Sequence, residues 1–385
     1  MLKVGVVGAG YIGLVHVETL MRMPGIEVAG VADTNEAQLA PVAATHPGLL
    51  VTSDYRKLLK DPDIAAIHNC TPNNVHFAVN QAALKAGKHL LSEKPLALTS
   101  DQAKKLLDLA EARGLKHAVH FCYRYYPTVQ EIAARVRRGE IGPVREVLGH
   151  YLQDWLMHDT DYSWRLDPKV SGRSNTVADI GSHWFDLAQF LSASPIVEVM
   201  ADLNTFVPRR RRPRGAVLTF AGKRKGRTEG VDVKVEDYAS ILLHFENGAR
   251  GATTVSQVCA GRKCTIDVQV YGAKAALAWN HERPELLWQG ERDRACEVLR
   301  ENPLLQSPST RRFARLPSGH PMGYFDAVMN LFSEFYAQVR GDRRPRGQAP
   351  APPDFSVGLD QMRIVEAVLQ SHRTKRWVKV KRPRG

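Results

Sequence analysis

The feature that most constrains this chain is a regular alternation of short apolar runs and helical stretches across residues 2–121. Strands are expected at 4–7, 27–32, 49–51, 64–70, 89–92 and 115–121. Helices are expected between them, at 12–23, 35–44, 55–59, 75–86 and 100–113. Brief buried strands separated by helices mark parallel βαβ units, so this region winds a sheet with helices on both faces. Ser100 stands where a helix begins, and Gly87 and Gly114 stand where helices end.

After residue 123 the pattern changes. Helices at 129–138 and 178–191 flank a strand at 145–153, and period-two strands follow at 238–245, 250–258, 265–271 and 275–279. Asn247-Gly248 between the first two of these is a hairpin signal, and strands without intervening helices form antiparallel sheets. Helices at 324–340 and 357–371 and a strand at 377–380 close the chain, with the Ala/Pro-rich stretch 348–353 read as a surface linker. The expected fold class is α/β, in two domains. Residues 1–123 form a doubly wound parallel sheet, and 124–385 form an α/β domain with an open, mainly antiparallel sheet.

No apolar run approaches the roughly 20 residues that cross a bilayer. Met1 leads straight into a strand, with glycines where a signal cleavage region would lie, so a cytoplasmic protein without membrane partners is expected. Five cysteines without a CxxC pair argue for reduced, mostly buried thiols rather than disulfides or a metal site. The formal charge of +13 concentrates in Arg209-Arg210-Arg211-Arg212-Pro213-Arg214, in Lys223-Arg224-Lys225-Gly226-Arg227 and in 379–384, all read as loops or an end. No nucleic-acid-binding signature accompanies that charge, so no nucleic-acid partner is expected.

Gly8-Ala9-Gly10-Tyr11-Ile12-Gly13 fits G-x-G-x-x-G in the one context that gives the motif meaning, directly after a strand and opening a helix. Gly8 allows the tight turn, Gly10 lets the backbone approach a pyrophosphate, and Gly13 lets helix pack on strand. The helix start offers N–H groups to phosphate. Asp33 ends the second strand, where a carboxylate meets ribose hydroxyls; the bland alternative is a helix cap. Thr34-Asn35-Glu36 holds no cation for a 2′-phosphate, which favours NAD over NADP. Thr71-Pro72-Asn73 and Glu93-Lys94-Pro95 end two further strands on the same carboxyl edge, where open α/β sheets bind ligands.

Together these motifs and their spacings resemble the Gfo/Idh/MocA oxidoreductases, and within them the levoglucosan or glycoside dehydrogenase type. The resemblance implies a Rossmann domain followed by the sheet domain, and it asks for an Asp and a His four residues apart on a helix. Asp179-Ile180-Gly181-Ser182-His183 supplies that pair, beside an apolar stripe of Ile180, Trp184, Leu187, Ala188 and Leu191. The implied catalytic residues are Lys94, Asp179 and His183: His183 as general base, Lys94 stabilising the alkoxide, and Asp179 orienting substrate or imidazole. Tyr11, Ile12, Thr34 and Glu93 join the cofactor contacts, and His76 matches a family His after the Thr-Pro turn. Trp164-Arg165 matches a pair that touches substrate or nicotinamide. Arg124 and Tyr126 lie in a segment where an Arg commonly meets substrate. Ser171-Gly172-Arg173-Ser174-Asn175 departs from the usual consecutive glycines, leaving the shape of the substrate pocket open. The implied activity is hydride transfer between NAD and a secondary hydroxyl of a sugar, anhydrosugar, glycoside or cyclic polyol, in a homodimer or homotetramer. A hydrolase or lyase using transient oxidation needs nearly the same residues. A merely dinucleotide-sensing protein would lack Lys94 or His183.

Overall fold

The computed structural model describes residues 1–213, 227–304, 306–342 and 350–382, which form two compact units. In the first, strands β1 (Leu2–Val7), β2 (Ile26–Ala32), β3 (Leu50–Thr52), β4 (Ile64–Asn69), β5 (His89–Ser92) and β6 (His117–Val119) alternate with helices α1 (Tyr11–Met21), α2 (Glu36–Thr45), α3 (Arg56–Lys60), α4 (Asn73–Lys85) and α5 (Ser100–Ala112). All the strands pair in parallel, in the order β3-β2-β1-β4-β5-β6. The winding direction reverses between β1 and β4, so the loops leaving these strands part and open a crevice at the carboxyl edge. Gly87 and Gly114 end α4 and α5 at φ +76° and +62°, as expected of left-handed C′ residues. The cap of α5 is Thr99 rather than Ser100, its side chain accepting from the Gln102 N–H.

Strands β7 (Val144–Leu152), β8 (Ile196–Asn204), β9 (Arg209–Pro213), β10 (Thr228–Asp232), β11 (Tyr238–Phe245), β12 (Arg250–Ser256), β13 (Thr265–Gly272), β14 (Ala275–Asn280), β15 (Leu286–Glu291) and β16 (Glu297–Arg300) belong to the second unit. So do helices α6 (Pro127–Arg137), α7 (Pro168–Ser171) and α8 (Ser182–Ser192). Helices α9 (Tyr324–Arg340) and α10 (Phe355–Thr374) and strand β17 (Val378–Lys379) complete the chain. The large sheet runs β16-β15-β14-β13-β7-β12-β11-β8-β17, antiparallel throughout except for the parallel pair β12–β7. Helices α6 and α8 lie on this sheet, with Trp184 and Phe185 of α8 fully buried.

Two expectations change. Residues 124–385 are not one domain: α9 and the start of α10 join the first unit. Phe332 of α9 packs edge-on against His16 and His68 there, so apolar burial rather than chain order decides the partition. Of the supposed linker 348–353, residues 348–349 lie outside the described residues, while Pro352 and Pro353 are buried. The Pro353 carbonyl accepts from the Val119 N–H at 2.7 Å, covering the β6 edge.

The arginine tract is also not a loop. Arg209–Pro213 pairs with β10 as a two-stranded ribbon. Arg210 is buried, with Nη1 donating to the His158 and Asp161 carbonyls at 2.8 and 3.1 Å and Nη2 lying 3.5 Å from Asp237. Arg211 pairs with Asp159 at 2.9 Å, and Arg212 with Glu229 at 2.7 Å. These charges are answered inside the unit. Residues 214 and 223–226 of the basic stretches lie outside the described residues. Among the described residues, no helix is long and apolar enough to cross a membrane.

Candidate active site

The dinucleotide half is built from main chain. Gly8 adopts φ +101°, and a Cβ there would lie 2.5 Å from the Cys70 carbonyl oxygen. A Cβ on Gly13 would lie 1.9 Å from the Gly8 carbonyl oxygen. No side chain larger than hydrogen fits either position. At Gly10, by contrast, a Cβ would meet only the Gln38 side chain, at 3.6 Å, so its missing side chain leaves space above the helix start. No side chain caps α1, and its first turn carries no acidic residue, so the positive helix end is left for an anion. That cradle fits a pyrophosphate.

Asp33 fixes the loop beside it. Its Oδ2 accepts from the Ala9 N–H at 2.7 Å and its Oδ1 from the Asn35 N–H at 2.8 Å. The cap of α2 is Asn35, so Asp33 is not spent as a simple helix cap. A carboxylate has about four acceptor positions, and two backbone bonds leave capacity for ribose hydroxyls. Thr34 is exposed beside it.

The Thr71 and Lys94 turns are braced together by His76. Its Nε2 lies 2.7 Å from the Thr71 carbonyl oxygen and its Nδ1 2.7 Å from that of Pro95. Both partners are acceptors, so a neutral ring donates to one of them and the charged ring to both. Burial outweighs the pull of the Pro95 and Thr71 carbonyls and leaves the His76 pKa lowered. With both nitrogens against carbonyls and the ring buried, His76 shapes the two loops. Asn69 ties in the same turn, accepting from the Thr71 hydroxyl at 2.7 Å and donating to Asn80 at 2.7 Å.

Behind Lys94 lies a cluster that sequence reasoning missed. Glu93 is buried and its Oε1 accepts from His120 Nδ1 at 2.6 Å and from His16 Nε2 at 3.2 Å, while its Oε2 accepts from the Lys94 N–H at 3.2 Å. His16 Nδ1 lies 2.9 Å from His68 Nδ1, and His68 Nε2 lies 2.7 Å from the Tyr336 hydroxyl. Burial drives the His16 pKa down to about 4, against its hydrogen bond to Glu93. Burial likewise holds His68 well below its usual range, reinforced by the charges of His16 and His120. Neutral rings then permit one proton order: Tyr336 donates to His68, His68 to His16, and His16 to Glu93. Burial alone would raise the Glu93 carboxyl, but His120 and then His16 hold it well below the carboxylate range. The Glu93 carboxylate therefore faces inward, anchoring the peptide that carries Lys94. His16, Glu93 and His120 bring ligand-type atoms within 4.8 Å of one another, but they already hydrogen-bond together.

The second half is built from side chains. Asp179 lies in a π turn, Val177–Gly181, that runs into α8, where the Ser182 N–H bonds the Val177 carbonyl. Single π turns concentrate at functional sites. The expected continuous helix 178–191 therefore starts with a wider turn. Asp179 Oδ1 accepts from Arg165 Nε at 3.2 Å, and Oδ2 from Gln257 Nε2 at 2.9 Å. Arg165 in turn lies over the Trp164 ring, 4.4 Å from its centroid. Glu236 holds the start of the turn, accepting from the Ser174 hydroxyl at 2.5 Å and from the N–H groups of Asn175 and Val177 at 3.1 and 3.0 Å. Asn175 Nδ2 also donates to Gln257 Oε1 at 2.7 Å, orienting the amide that holds Asp179. His183 follows one turn on, buried and packed edge-on against Tyr123 with centroids 4.8 Å apart.

Two expected substrate contacts are corrected. Arg124 is buried and gives its fork to Asp186 of α8, with Nε 2.6 Å from Oδ2. It also lies over the Phe190 ring, so it is a structural ion pair whose rupture would cost about 3–5 kcal/mol. Tyr126 is buried and its hydroxyl lies 3.1 Å from His281 Nε2, inside the unit. The expected polar edge of α8 is likewise buried, Asp186 included.

Against known proteins, residues 2–121 match the description "Oxidoreductase family, NAD-binding Rossmann fold", and residues 129–278 match the "GFO/IDH/MocA C-terminal domain". Levoglucosan dehydrogenase of Pseudarthrobacter phenanthrenivorans is 32% identical over 295 residues, 74% of this chain and 75% of that protein. The uncharacterized oxidoreductase YrbE of Bacillus subtilis is 31% identical over 283 residues, 73% of this chain and 74% of its own. A crystallised levoglucosan dehydrogenase in complex with NADH and L-sorbose superposes with a TM-score of 0.86 at 27% identity, covering 99% of both chains. An inositol dehydrogenase homolog complexed with NAD+ from Azotobacter vinelandii gives 0.85 at 27% identity, over 98% of this chain and 97% of that one. Both halves of the chain match the family models, its relatives include structures solved with NAD+ or NADH, and the chain belongs to the Gfo/Idh/MocA family of NAD-binding oxidoreductases.

Proposed function

We propose that this protein is a cytoplasmic dehydrogenase that oxidises a secondary hydroxyl of a sugar, anhydrosugar or related polyol. NAD, when bound, supplies the hydride acceptor. His183 takes the hydroxyl proton and returns it in the reverse direction, a task suited to imidazole chemistry near neutral pH. Lys94 hydrogen-bonds the same oxygen and stabilises its developing negative charge. Asp179 fixes the orientation of substrate or imidazole, itself held by Arg165 and Gln257. Arg165 and Trp164 border the substrate.

The observation that carries this reading is the second-half network, in which Gln257, Arg165 and the Glu236-capped π turn converge on one carboxylate. The sugar class rests on the levoglucosan dehydrogenase relative. NADH absorbance during incubation with NAD and a panel of levoglucosan, aldoses and cyclic polyols tests it. Net NADH accumulation with one of these is the expected result; sugar turnover at constant NADH would replace the reading by a redox-neutral one. The face of the large sheet bearing Leu148, Met200 and the half-exposed Leu242 is the surface through which a dimer or tetramer would form, which sedimentation of the purified protein checks.

A further inference from the structure

Cys264 precedes β13 and is partly exposed. Its Sγ lies 3.2 Å from the Tyr151 hydroxyl and 3.6 Å from that of Tyr123, and the two hydroxyls are 3.1 Å apart. His281, on the turn after β14, completes the cluster. Its main-chain N–H bonds the Ile266 carbonyl at 2.9 Å, its Nδ1 lies 3.0 Å from the Cys264 carbonyl oxygen, and its Nε2 lies 3.1 Å from the Tyr126 hydroxyl. Two hydroxyls in reach of one sulfur, with an imidazole beside them, can donate to it, which favours thiolate over thiol. Burial pushes the Cys264 thiol up, but His281, then Tyr151 and Tyr123, more than reverse this and leave it lowered. Burial pulls His281 down, yet Cys264 raises it overall. Cys70 and Cys122 behave oppositely: burial pushes both thiols up.

The cluster also has a place in the site. The Tyr123 ring that reaches the sulfur packs against His183, with centroids 4.8 Å apart, and Tyr151 lies 6.5 Å from the same imidazole. One aromatic side chain separates the sulfur from the proposed base. Other charged groups nearby are Glu282, which lies 3.6 Å from Arg262, Lys263, held by Asp154 at 2.6 Å, and Asp179, whose charge acts on Tyr151.

We propose that Cys264 is a reactive thiolate held by Tyr151, Tyr123 and His281, and that its covalent modification by a small soft electrophile shuts off the substrate half of the site. The second clause rests on the function proposed above; the first does not. With iodoacetamide as the probe, the sulfur lone pair attacks the methylene carbon, a C–S bond forms, the C–I bond breaks and iodide leaves with the electron pair. The thiol proton is released to water as the thiolate forms, ahead of the attack.

The full-length protein is treated with iodoacetamide between pH 6.5 and 8, and labelling of each cysteine is followed by peptide mass spectrometry. At pH 6.5 Cys264 is expected to label about 10-fold faster than Cys296, although Cys296 is the more exposed. Over the same range its rate should fall far less than the roughly tenfold per pH unit of an ordinary thiol. H281Q should slow Cys264 and restore the ordinary pH dependence, with circular dichroism confirming the fold. Faster labelling of Cys296, or an ordinary pH profile at Cys264, overturns the thiolate. For the second clause, singly labelled protein should lose sugar oxidation while binding NADH with unchanged affinity, and C264S should keep whatever turnover it has when the reagent is added. Full turnover after labelling overturns that clause. A protein that oxidises no sugar at all fails the proposed function instead, leaving the labelling result to stand or fall on its own.

Discussion

The candidate cofactor region of the first unit and the Asp179 region of the second are made of different materials. Around Gly8–Gly13 the decisive groups are main-chain atoms: an N–H donated to Asp33, and carbonyls where no Cβ can stand. Around Asp179 they are side chains drawn from distant positions, Arg165, Gln257 and Glu236 among them. A site made of backbone requires particular residues at fixed local spacing, so it leaves a motif. A site made of side chains requires only that the fold bring them together, and it leaves almost none.

Glycine substitutions should break the first half hardest. Gly13→Ala drives a methyl group into the Gly8 carbonyl, and a loss of about 4 kcal/mol is expected from backbone distortion. A thermal melt should show it, together with NADH affinity lowered about 100-fold in fluorescence titration. Gly10→Ala, whose Cβ meets only Gln38, should melt near wild type yet still weaken NADH. Equal melting temperatures for the two variants would remove the main-chain account.

The histidine cluster behind Lys94 gives a pH test of intermediate size. His16 has a folded pKa of about 4, below its unfolded value of about 6.5. Its stabilising contribution is present above the unfolded value and is lost as pH falls toward the folded one. Between pH 7 and pH 5 the loss is about 2 kcal/mol. Urea unfolding at the two pH values measures it, and H16Q should flatten that part of the slope. An unchanged slope would mean that His16 is not buried as a neutral ring.

Gln257→Ala has the smallest effect and separates the halves most cleanly. Removing the hydrogen bond to the Asp179 carboxylate, together with the acceptor of Asn175 and Thr176, should lower kcat/KM about 10-fold while leaving NADH affinity unchanged. A loss of NADH affinity in this variant would merge what the structure keeps in separate units.

Legibility followed the same division. The alternating strands and helices of 2–121, the glycine cradle and the carboxyl-edge turns were all readable, because period and glycine placement are local properties. The spacing of Asp179 and His183 was readable too, but the π turn was not, since four residues separate the pair in either helix type. Strands β8, β15 and β16 escaped because buried and exposed residues do not alternate cleanly along them, as along Leu286–Glu291, and β9 because charge disguised it, at Arg209–Pro213. Gln257 lies 78 residues from Asp179, and no sequence periodicity reaches that far. Arg124 misled for a related reason: an Arg expected at substrate is satisfied by Asp186, 62 residues away.

The central claim is that Lys94 and His183 serve one hydroxyl in one chemical step. Hydride transfer should be measured in single turnover with saturating NAD for wild type, Lys94→Ala, His183→Ala and the double variant. Groups acting as a unit on the same oxygen should each cost about 100- to 10,000-fold, with the double variant scarcely slower than the worse single one. A double variant slowed by the full product of the two single effects would contradict the account.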